Sequence, residues 1–464
     1  KINTWFLQHV YDISQVDKQL KENKLDEALL RKAKQFGFSD CYLAKLGKTN
    51  EASIRDYRNT WGIKPVVKQI DTLAGEFEAQ TNYLYLTYHG EFDDITPSSK
   101  APIIVLGSGP YSIGSSVEFD WCGVTTARTL KKLNETAIII NSNPETVSTD
   151  YDESDRLYFE QLSFERVQDI ADFEKTKGII VSVGGQIANN LVMPLHNAGY
   201  PILGTNPEDI DRAENRKTFS TLLNQLSIDQ PEWAEVTTLD NAKAFSHKVG
   251  YPVLIRPSYV LSGAAMNVVY NQDQLESYLN DASIVSPDHP VVISEFIYGA
   301  KELEVDGVAT NGKVLVQAIS EHVENAGVHS GDATIVLPPQ QLYLETIRRT
   351  KKITRQVIKA LNVTGPFNIQ FIAKHNAIRV IECNVRASRS FPFVSKVTNH
   401  NFIISATKAV LGIKETINHE TLELDYVGVK SPQFSYNRLK GADPVAHVEM
   451  ASTGEVAVIG DTLA

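Results

Sequence analysis

The segment "FNIQFIAKHNAIRVIECN" (367–384) carries the densest chemistry in the chain. It reads as a β-hairpin turning around Lys374–Ala377. With Gln370 opposite Glu382, Ile369 meets Cys383 and Phe371 meets Ile381 on an apolar face. The reverse face then carries Asn368, Gln370, Glu382 and Asn384, because alternate side chains of a strand point to opposite sides. An oxygen-only set of one carboxylate and neighbouring amides suits a hard divalent cation such as Mg²⁺ rather than zinc. A single carboxylate shared by two ions leaves them short of negative charge, which favours a polyphosphate as the remaining ligand. The plain alternative is a solvent-facing strand side.

Cations follow the hairpin. Arg386 and Arg389, three apart after Asn384, share a face if a helical turn begins there, placed to neutralise a transferring phosphoryl group. Arg256 ends an apolar run in "VLIRPSYV", and a guanidinium forks onto phosphate oxygens. The next stretch, "SYVLSGAAM", puts Ser262 and Gly263 where backbone N–H groups can fold over phosphates, although it lacks the Walker pattern. In "EHVENAGVHSGD" (321–332), His329 lies between small residues in an expected loop and is the stronger functional candidate of two histidines. Cys383 faces the apolar side without a base beside it and is expected to be inert. "VLGSGPYSIGSS" fails as a dinucleotide fingerprint: Ser112 occupies the third glycine's place, and Asn141 stands where a ribose-binding acid is needed. It reads as a structural or interface turn.

These residues need elements to hold them. The first 95 residues read as short helices in series, as in "KLDEALLRKAKQFGF", with balanced charge and no basic face for DNA. "HGEFDDITPSSK" (89–100) reads as a linker. Beyond it, "PIIVLGSG", "TAIIINSN", "GIIVSVGG" and "PILGTN" are β-branched runs alternating with helical spacing. That pattern implies a parallel, doubly wound sheet with ligands at the strand ends. From about residue 214 the elements are mixed, and "HPVVISEFIYGAKELEVDGVATNGKVLVQAIS" reads as successive antiparallel strands. "ETIRRTKKITRQVIKALN" reads as a basic amphipathic helix with a solvated outer face.

Composition sets the outer limits. With 464 residues, 42% hydrophobic and 22% charged, the chain has room for about three domains. A net charge of −11 argues against a general affinity for nucleic acid or anionic lipid. No apolar run is long enough for a membrane span. Three scattered cysteines form neither a disulfide framework nor a metal spacing. A reducing compartment is expected, the cytoplasm first and the mitochondrion as the alternative. The missing initiator Met leads us to expect a fragment of a longer chain.

Several motifs together resemble one family. "GSGPYSIGSSVEFDWC", "NPETVSTDYDESDRLYFE", "DRAENRKTF", "RPSYVLSGAAM", "EHVENAGVHSGD", "GPFNIQF" and "IECNVRASRSFPFVSK" resemble carbamoyl-phosphate synthetase. The likeness is to the carboxy-terminal synthetase half of its large, ammonia-using chain, in its eukaryotic form. The resemblance implies an α/β protein with an ATP-grasp fold, preceded by a Rossmann-like pre-ATP-grasp domain and an all-helical domain. The expected limits are 1–95 for a partial oligomerisation domain and 96–213 for the pre-ATP-grasp domain. A small lid subdomain spans 214–285, and a large subdomain with the metal hairpin spans 286–464.

The implied ligands are ATP and two Mg²⁺ or Mn²⁺ ions, the metals held by Gln370, Glu382 and Asn384. Arg216, Arg256, Arg389 and His329 would approach the phosphates and Glu302 the ribose. Met266 with Ser294, Glu295 and Phe296 would border the adenine, and Gly327, Val328 and Ser330 would line the nucleotide beside His329. Glu118, Glu145 and Glu455 match acidic positions on an interior route for carbamate. Two positions depart from relatives: Ala264 replaces an arginine common in bacteria, and Val385 replaces the proline of an "NPR" sequence. The implied reaction is phosphorylation of carbamate to carbamoyl phosphate, feeding arginine, urea or pyrimidine synthesis. Implied partners are the bicarbonate-phosphorylating half, an allosteric domain, a glutaminase and further copies of the chain. The alternatives are another ATP-grasp ligase, such as a biotin-type carboxylase, and a nucleotide-binding module without turnover.

Overall fold

The structure is a computed structural model describing residues 2–110, 117–257, 267–285, 291–417, 423–434 and 452–463, with the backbone alone at 256, 257 and 280–285. Ser262, Gly263, Ala264 and Met266 lie outside the described residues.

Helices α1 (Thr4–Glu22), α2 (Glu27–Gln35), α3 (Asp40–Leu46) and α4 (Glu51–Thr60) open the chain. The breaks between them supply caps: Asn3, Asp26, Ser39 and Asn50 each accept a first-turn N–H of the helix that follows. Val16, Leu30, Leu43, Ile54 and Ile63 belong to the core beneath them. The helical reading fails after Thr60, where the chain turns to strands.

Strands β1 (Val66–Gln69), β2 (Tyr83–Thr87), β3 (Ile103–Leu106), β4 (Ala137–Ile140), β5 (Arg156–Tyr158) and β6 (Gly178–Ile180) form a sheet of order β1-β2-β5-β4-β3-β6. Strands β2 to β6 run parallel. The overlooked signal is the alternation in "YLYLT": Leu84 and Leu86 are buried and Tyr85 is exposed. β3 and β4 are buried on both faces, as a helix-covered parallel sheet requires. Helices α5 (Val117–Lys132), α6 (Phe164–Glu174), α7 (Gly185–Asn189) and α8 (Val192–Asn197) are interleaved with these strands and follow them. Where the turn leaves β3, a Cβ on Gly107 would meet the Asn141 side chain at 2.7 Å, and residues 111–116, with Ser112, lie outside the described residues. Asn141 Oδ1 accepts the N–H groups of Gly109 and Ser142.

Helices α9 (Pro207–Glu214) and α10 (Arg216–Gln225) lead to a smaller antiparallel sheet. Its strands β7 (Trp233–Val236), β8 (Val253–Pro257), β9 (Asn267–Val269) and β10 (Val291–Glu295) run in order β7-β10-β8-β9. Helices α11 (Leu239–Val249) and α12 (Gln272–Val285) share its apolar core through residues such as Phe245 and Leu275. β10 pairs with β7 and β8, so this sheet reaches past residue 285 instead of stopping there. Alternation identifies a strand, but not its partner.

The third sheet has order β15-β14-β11-β12-β13-β16-β17. It comprises β11 (Lys301–Thr310), β12 (Lys313–Asn325), β13 (Ile335–Leu337), β14 (Gly365–Lys374), β15 (Ala377–Asn384), β16 (Val427–Gln433) and β17 (Gly454–Gly460). Helix α13 (Leu344–Ala360) buries Thr346, Thr350, Thr354, Val357 and Ile358 and leaves its arginines and lysines exposed. Its basic stripe is a solvated outer face. Helices α14 (Phe391–Val397) and α15 (Phe402–Val410) fill the space beside α5, and two apolar cores run through both the first and third sheets. Among the described residues no helix is long and apolar enough to cross a membrane.

Buried charge joins the helical segment to the first sheet. Lys34 Nζ lies 2.8 Å from Asp40 and 2.6 Å from Glu165. Arg58 holds Asp40 at 2.7 Å and reaches Asp169 at 3.4 Å. Burial works against the Arg58 charge, but the surrounding acids, Asp169 foremost, hold its pKa above the ordinary value. Removing one member strands its partners in low dielectric. Arg58→Ala should therefore lower the unfolding free energy by about 3–5 kcal/mol, read from urea denaturation. A loss below about 1 kcal/mol, typical of surface pairs, would contradict the locking role.

Candidate functional site

The hairpin of β14 and β15 has Asn368 opposite Asn384, Ile369 opposite Cys383 and Gln370 opposite Glu382. His375 and Asn376 take positive φ in its turn, as a tight hairpin needs. The next step departs from the expected register. Phe371 faces Val380, not Ile381, because β15 carries an extra residue there, a β-bulge. The Ile381 carbonyl accepts Arg216 Nη1 at 2.6 Å, and that guanidinium lies 5.5 Å from the Trp233 ring centre. Arg216 thus braces the strand beside Glu382.

Gln370, Glu382 and Asn384 are half-buried on one face. Asn384 Nδ2 donates to Glu382 Oε1 at 2.9 Å, and Arg386 Nη2 donates to Asn384 Oδ1 at 3.4 Å. One carboxylate and two amide oxygens fit a hard cation that keeps some of its ligands for water or phosphate. No cluster of three or more His, Cys, Asp or Glu among the described residues offers another centre. Asn368 is fully buried deeper on that face, its Nδ2 donating to Asp306 Oδ1 at 2.8 Å and Glu304 Oε2 at 3.2 Å. Cys383 is buried, and desolvation pushes its thiol pKa up.

Beside β14 lies a feature that the sequence reading missed. β11 sets Glu304 opposite Gln370 and Asp306 opposite Asn368, so Glu302, Glu304 and Asp306 share the face of the hairpin ligands. All three are buried. The signal was legible in "KELEVDG", where acids recur at every second residue of an otherwise apolar strand. Their partners come from elsewhere: His322 Nε2 lies 3.3 Å from Glu304 Oε1. Ser388 Oγ donates to Asp306 Oδ1 at 2.6 Å and Ser390 Oγ to Asp306 Oδ2 at 2.5 Å. Burial pushes the Asp306 carboxyl up to about 6, Glu304 adds to the rise, and the two hydroxyls and Asn368 oppose it. Burial likewise pushes Glu302 up to about 7, with His322 opposing.

Other expected residues gather around this floor. Ser294 and Glu295 end β10, and the Phe296 ring sits where a Cβ on Gly327 would meet it at 3.1 Å. The Gly327 backbone opposes the rise in the Glu302 pKa. Val328, His329 and Ser330 follow, half-buried. His329 Nδ1 accepts the Gly331 N–H at 3.0 Å, and buried Lys430 donates to the Ser330 carbonyl at 2.9 Å. Arg256 lies near the end of β8, its backbone opposite Val292.

Arg386 Nη2 donates to Gln186 Oε1 at 3.2 Å, and Gln186 Nε2 reaches Glu214 at 3.4 Å. Asn189 also donates to Glu214. Burial raises the Glu214 pKa and Arg386 opposes the rise. No spacing rule links Gln186 to Arg386. Arg389 is half-buried between two buried serines. Glu118 is buried, Glu455 lies 3.4 Å from Lys430, and Glu145 is exposed.

Three family models match the chain in order. They are the carbamoyl-phosphate synthetase large-chain oligomerisation domain over residues 1–62, the carbamoyl phosphate synthase preATP-grasp domain over 99–212, and the carbamoyl-phosphate synthase L chain ATP-binding domain over 215–417. The multifunctional protein URA2 of Saccharomyces cerevisiae is 56% identical across 99% of this chain and 21% of its own length. A carbamoyl phosphate synthase arginine-specific large chain of Cutaneotrichosporon cutaneum is 54% identical across 99% of this chain and 40% of its own. The chain thus spans between about a fifth and two fifths of these relatives. A biotin carboxylase from Campylobacter jejuni, solved with an ATP analogue, superposes with a TM-score of 0.59 at 16% identity, covering 72% of this chain and 77% of that one. That likeness is one of fold, the ATP-grasp fold.

Glu302 gives the site a pH signature. Below its ordinary value of 4.5 the carboxyl is protonated whether folded or not; between 4.5 and about 7 only the folded chain keeps the proton. Its contribution is present at low pH and lost as pH rises through 7, worth about 3 kcal/mol. For the nucleotide-free chain, unfolding free energy should fall less between about pH 5 and about pH 8 in Glu302→Gln than in the parent. Parallel pH curves for the two proteins would refute the assignment.

Proposed function

Because the chain belongs to the carbamoyl-phosphate synthase large-chain family, we propose that it phosphorylates carbamate with ATP, giving carbamoyl phosphate and ADP. The observation that carries this reading is the register that aligns Gln370 with Glu382, two residues before Asn384, with Arg386 and Arg389 immediately beyond. A carbamate oxygen forms a bond to the γ-phosphorus with its lone pair. The bond from that phosphorus to the β,γ-bridging oxygen breaks, and its electron pair leaves with ADP. Positioning and charge neutralisation suffice for such a transfer, so neither a covalent enzyme intermediate nor a general base is invoked.

Gln370, Glu382 and Asn384 would hold two Mg²⁺ or Mn²⁺ ions, which when bound supply Lewis-acid neutralisation of phosphate oxygens. Arg216, Arg256, Arg386, Arg389 and His329 serve the phosphates, and Ser262 and Gly263 would share that role. Glu302 takes the ribose. Ser294, Glu295, Phe296 and Met266 border the adenine, and Gly327, Val328 and Ser330 line the nucleotide. Glu118, Glu145 and Glu455 lie along the carbamate's path. The lid subdomain, in this division, runs from about 214 to Glu295, between a pre-ATP-grasp domain whose sheet takes in β1 and β2 from Val66 and the large subdomain.

The helices before Thr60 would contribute to assembly of several copies. A bicarbonate-phosphorylating half, an allosteric domain and a glutaminase complete the proposed enzyme, whose product feeds pyrimidine or arginine synthesis in the cytoplasm or mitochondrion. A module that binds nucleotide without turnover is the second reading.

Incubation with ADP, Mg²⁺ and carbamoyl phosphate separates the two. ATP should form in the parent chain, and removal of the metal with a chelator should abolish it. Glu382→Gln should lower the rate by about 100-fold or more with an unchanged circular dichroism spectrum. Nucleotide binding without ATP formation would favour the module, and a native rate in Glu382→Gln would overturn the hairpin assignment.

A further inference from the structure

We infer that Asp306 is the positioning residue for Arg389, acting through the two hydroxyls that flank it. The inference rests on the phosphoryl-transfer reading above and adds a residue that this reading does not use. Asp306 is wholly buried in β11, and a buried carboxylate must be met by donors. Two of its donors are Ser388 Oγ at 2.6 Å and Ser390 Oγ at 2.5 Å, one to each carboxylate oxygen. The two hydroxyls are themselves 2.8 Å apart. A single side chain thus grips the loop on both sides of Arg389. With both neighbours turned inward and buried, Arg389 is the half-exposed residue between them.

The grip acts on an irregular stretch whose other anchors named here lie before the serines: Val385 and Ala387 are core residues, and Arg386 reaches Gln186. Residues 385–390 belong to neither helix nor strand. The Ala387 N–H donates to the Ser182 carbonyl at 2.8 Å, which secures the loop one residue before the pair of serines. The third donor to Asp306 is Asn368 Nδ2, and Asn368 stands opposite Asn384 in the hairpin. One carboxylate therefore sets the arginine loop and the ligand strand in a common frame. Neutralising charge on a moving phosphoryl group depends on placement, and an error of about 1 Å costs about 100-fold in rate.

The test is the double variant Ser388→Ala/Ser390→Ala, with Asp306→Asn as a second probe should the first fail to fold. In ATP formation from ADP, Mg²⁺ and carbamoyl phosphate, kcat should fall about 10- to 100-fold while KM for ADP stays within about threefold. In an Arg389→Ala background the same serine changes should cause no further loss. Losses that multiply, a change in KM alone, or full kcat in a folded double variant would each overturn the inference. Amide hydrogen exchange at 386–390 reads the loop without turnover: faster exchange confined to that stretch supports the grip, and unchanged exchange refutes it. A parent chain that forms no ATP would count against the proposed reaction, whereas an active parent with an equally active double variant would count only against Asp306.

Discussion

Burial of a polar sheet face is the constraint from which the site follows. β11, β14 and β15 are neighbours, and their alternation sends Glu302, Glu304, Asp306, Asn368, Gln370, Glu382 and Asn384 to one side. The deeper part of that side is closed to water, where an uncompensated carboxylate costs several kcal/mol. Donors must therefore be brought in from distant segments: His322 from β12, and Ser388 and Ser390 from the loop after β15. Only the outer edge, at Gln370, Glu382 and Asn384, keeps access to solvent. The need to satisfy the interior arranges the loops around the rim.

The hairpin could be read from sequence because one apolar and one polar face coexist only in a single register near Glu382. The bulge could not. Val380 and Ile381 are both apolar, so an extra residue between the turn and the ligands leaves no trace in the pattern. β1 and β2 were hidden for another reason: the polar stretch between them looks like the helix breaks before it, and only "YLYLT" carries a period of two. β10 was recognised as a strand, but its partners lie far away in sequence.

The same limit applies at the site. The acid repeat in "KELEVDG" was visible, but its partners Ser388 and Ser390, more than 80 residues away, were not. Gln186 reaches Arg386 across 200 residues. Positions such as Ser294 and Phe296 entered through family resemblance, since nothing in their spacing marks them.

The extra residue at Ile381 has a consequence for anyone rebuilding this architecture. Past that point the turn half of the hairpin runs one step out of phase with the ligand half, and the irregular step is tied to α10 through Arg216. A regular two-stranded ribbon copied onto another sheet would present the wrong side of its outer strand. Transplanting the ligands therefore means moving the turn, the irregular step and its supporting helix as one piece.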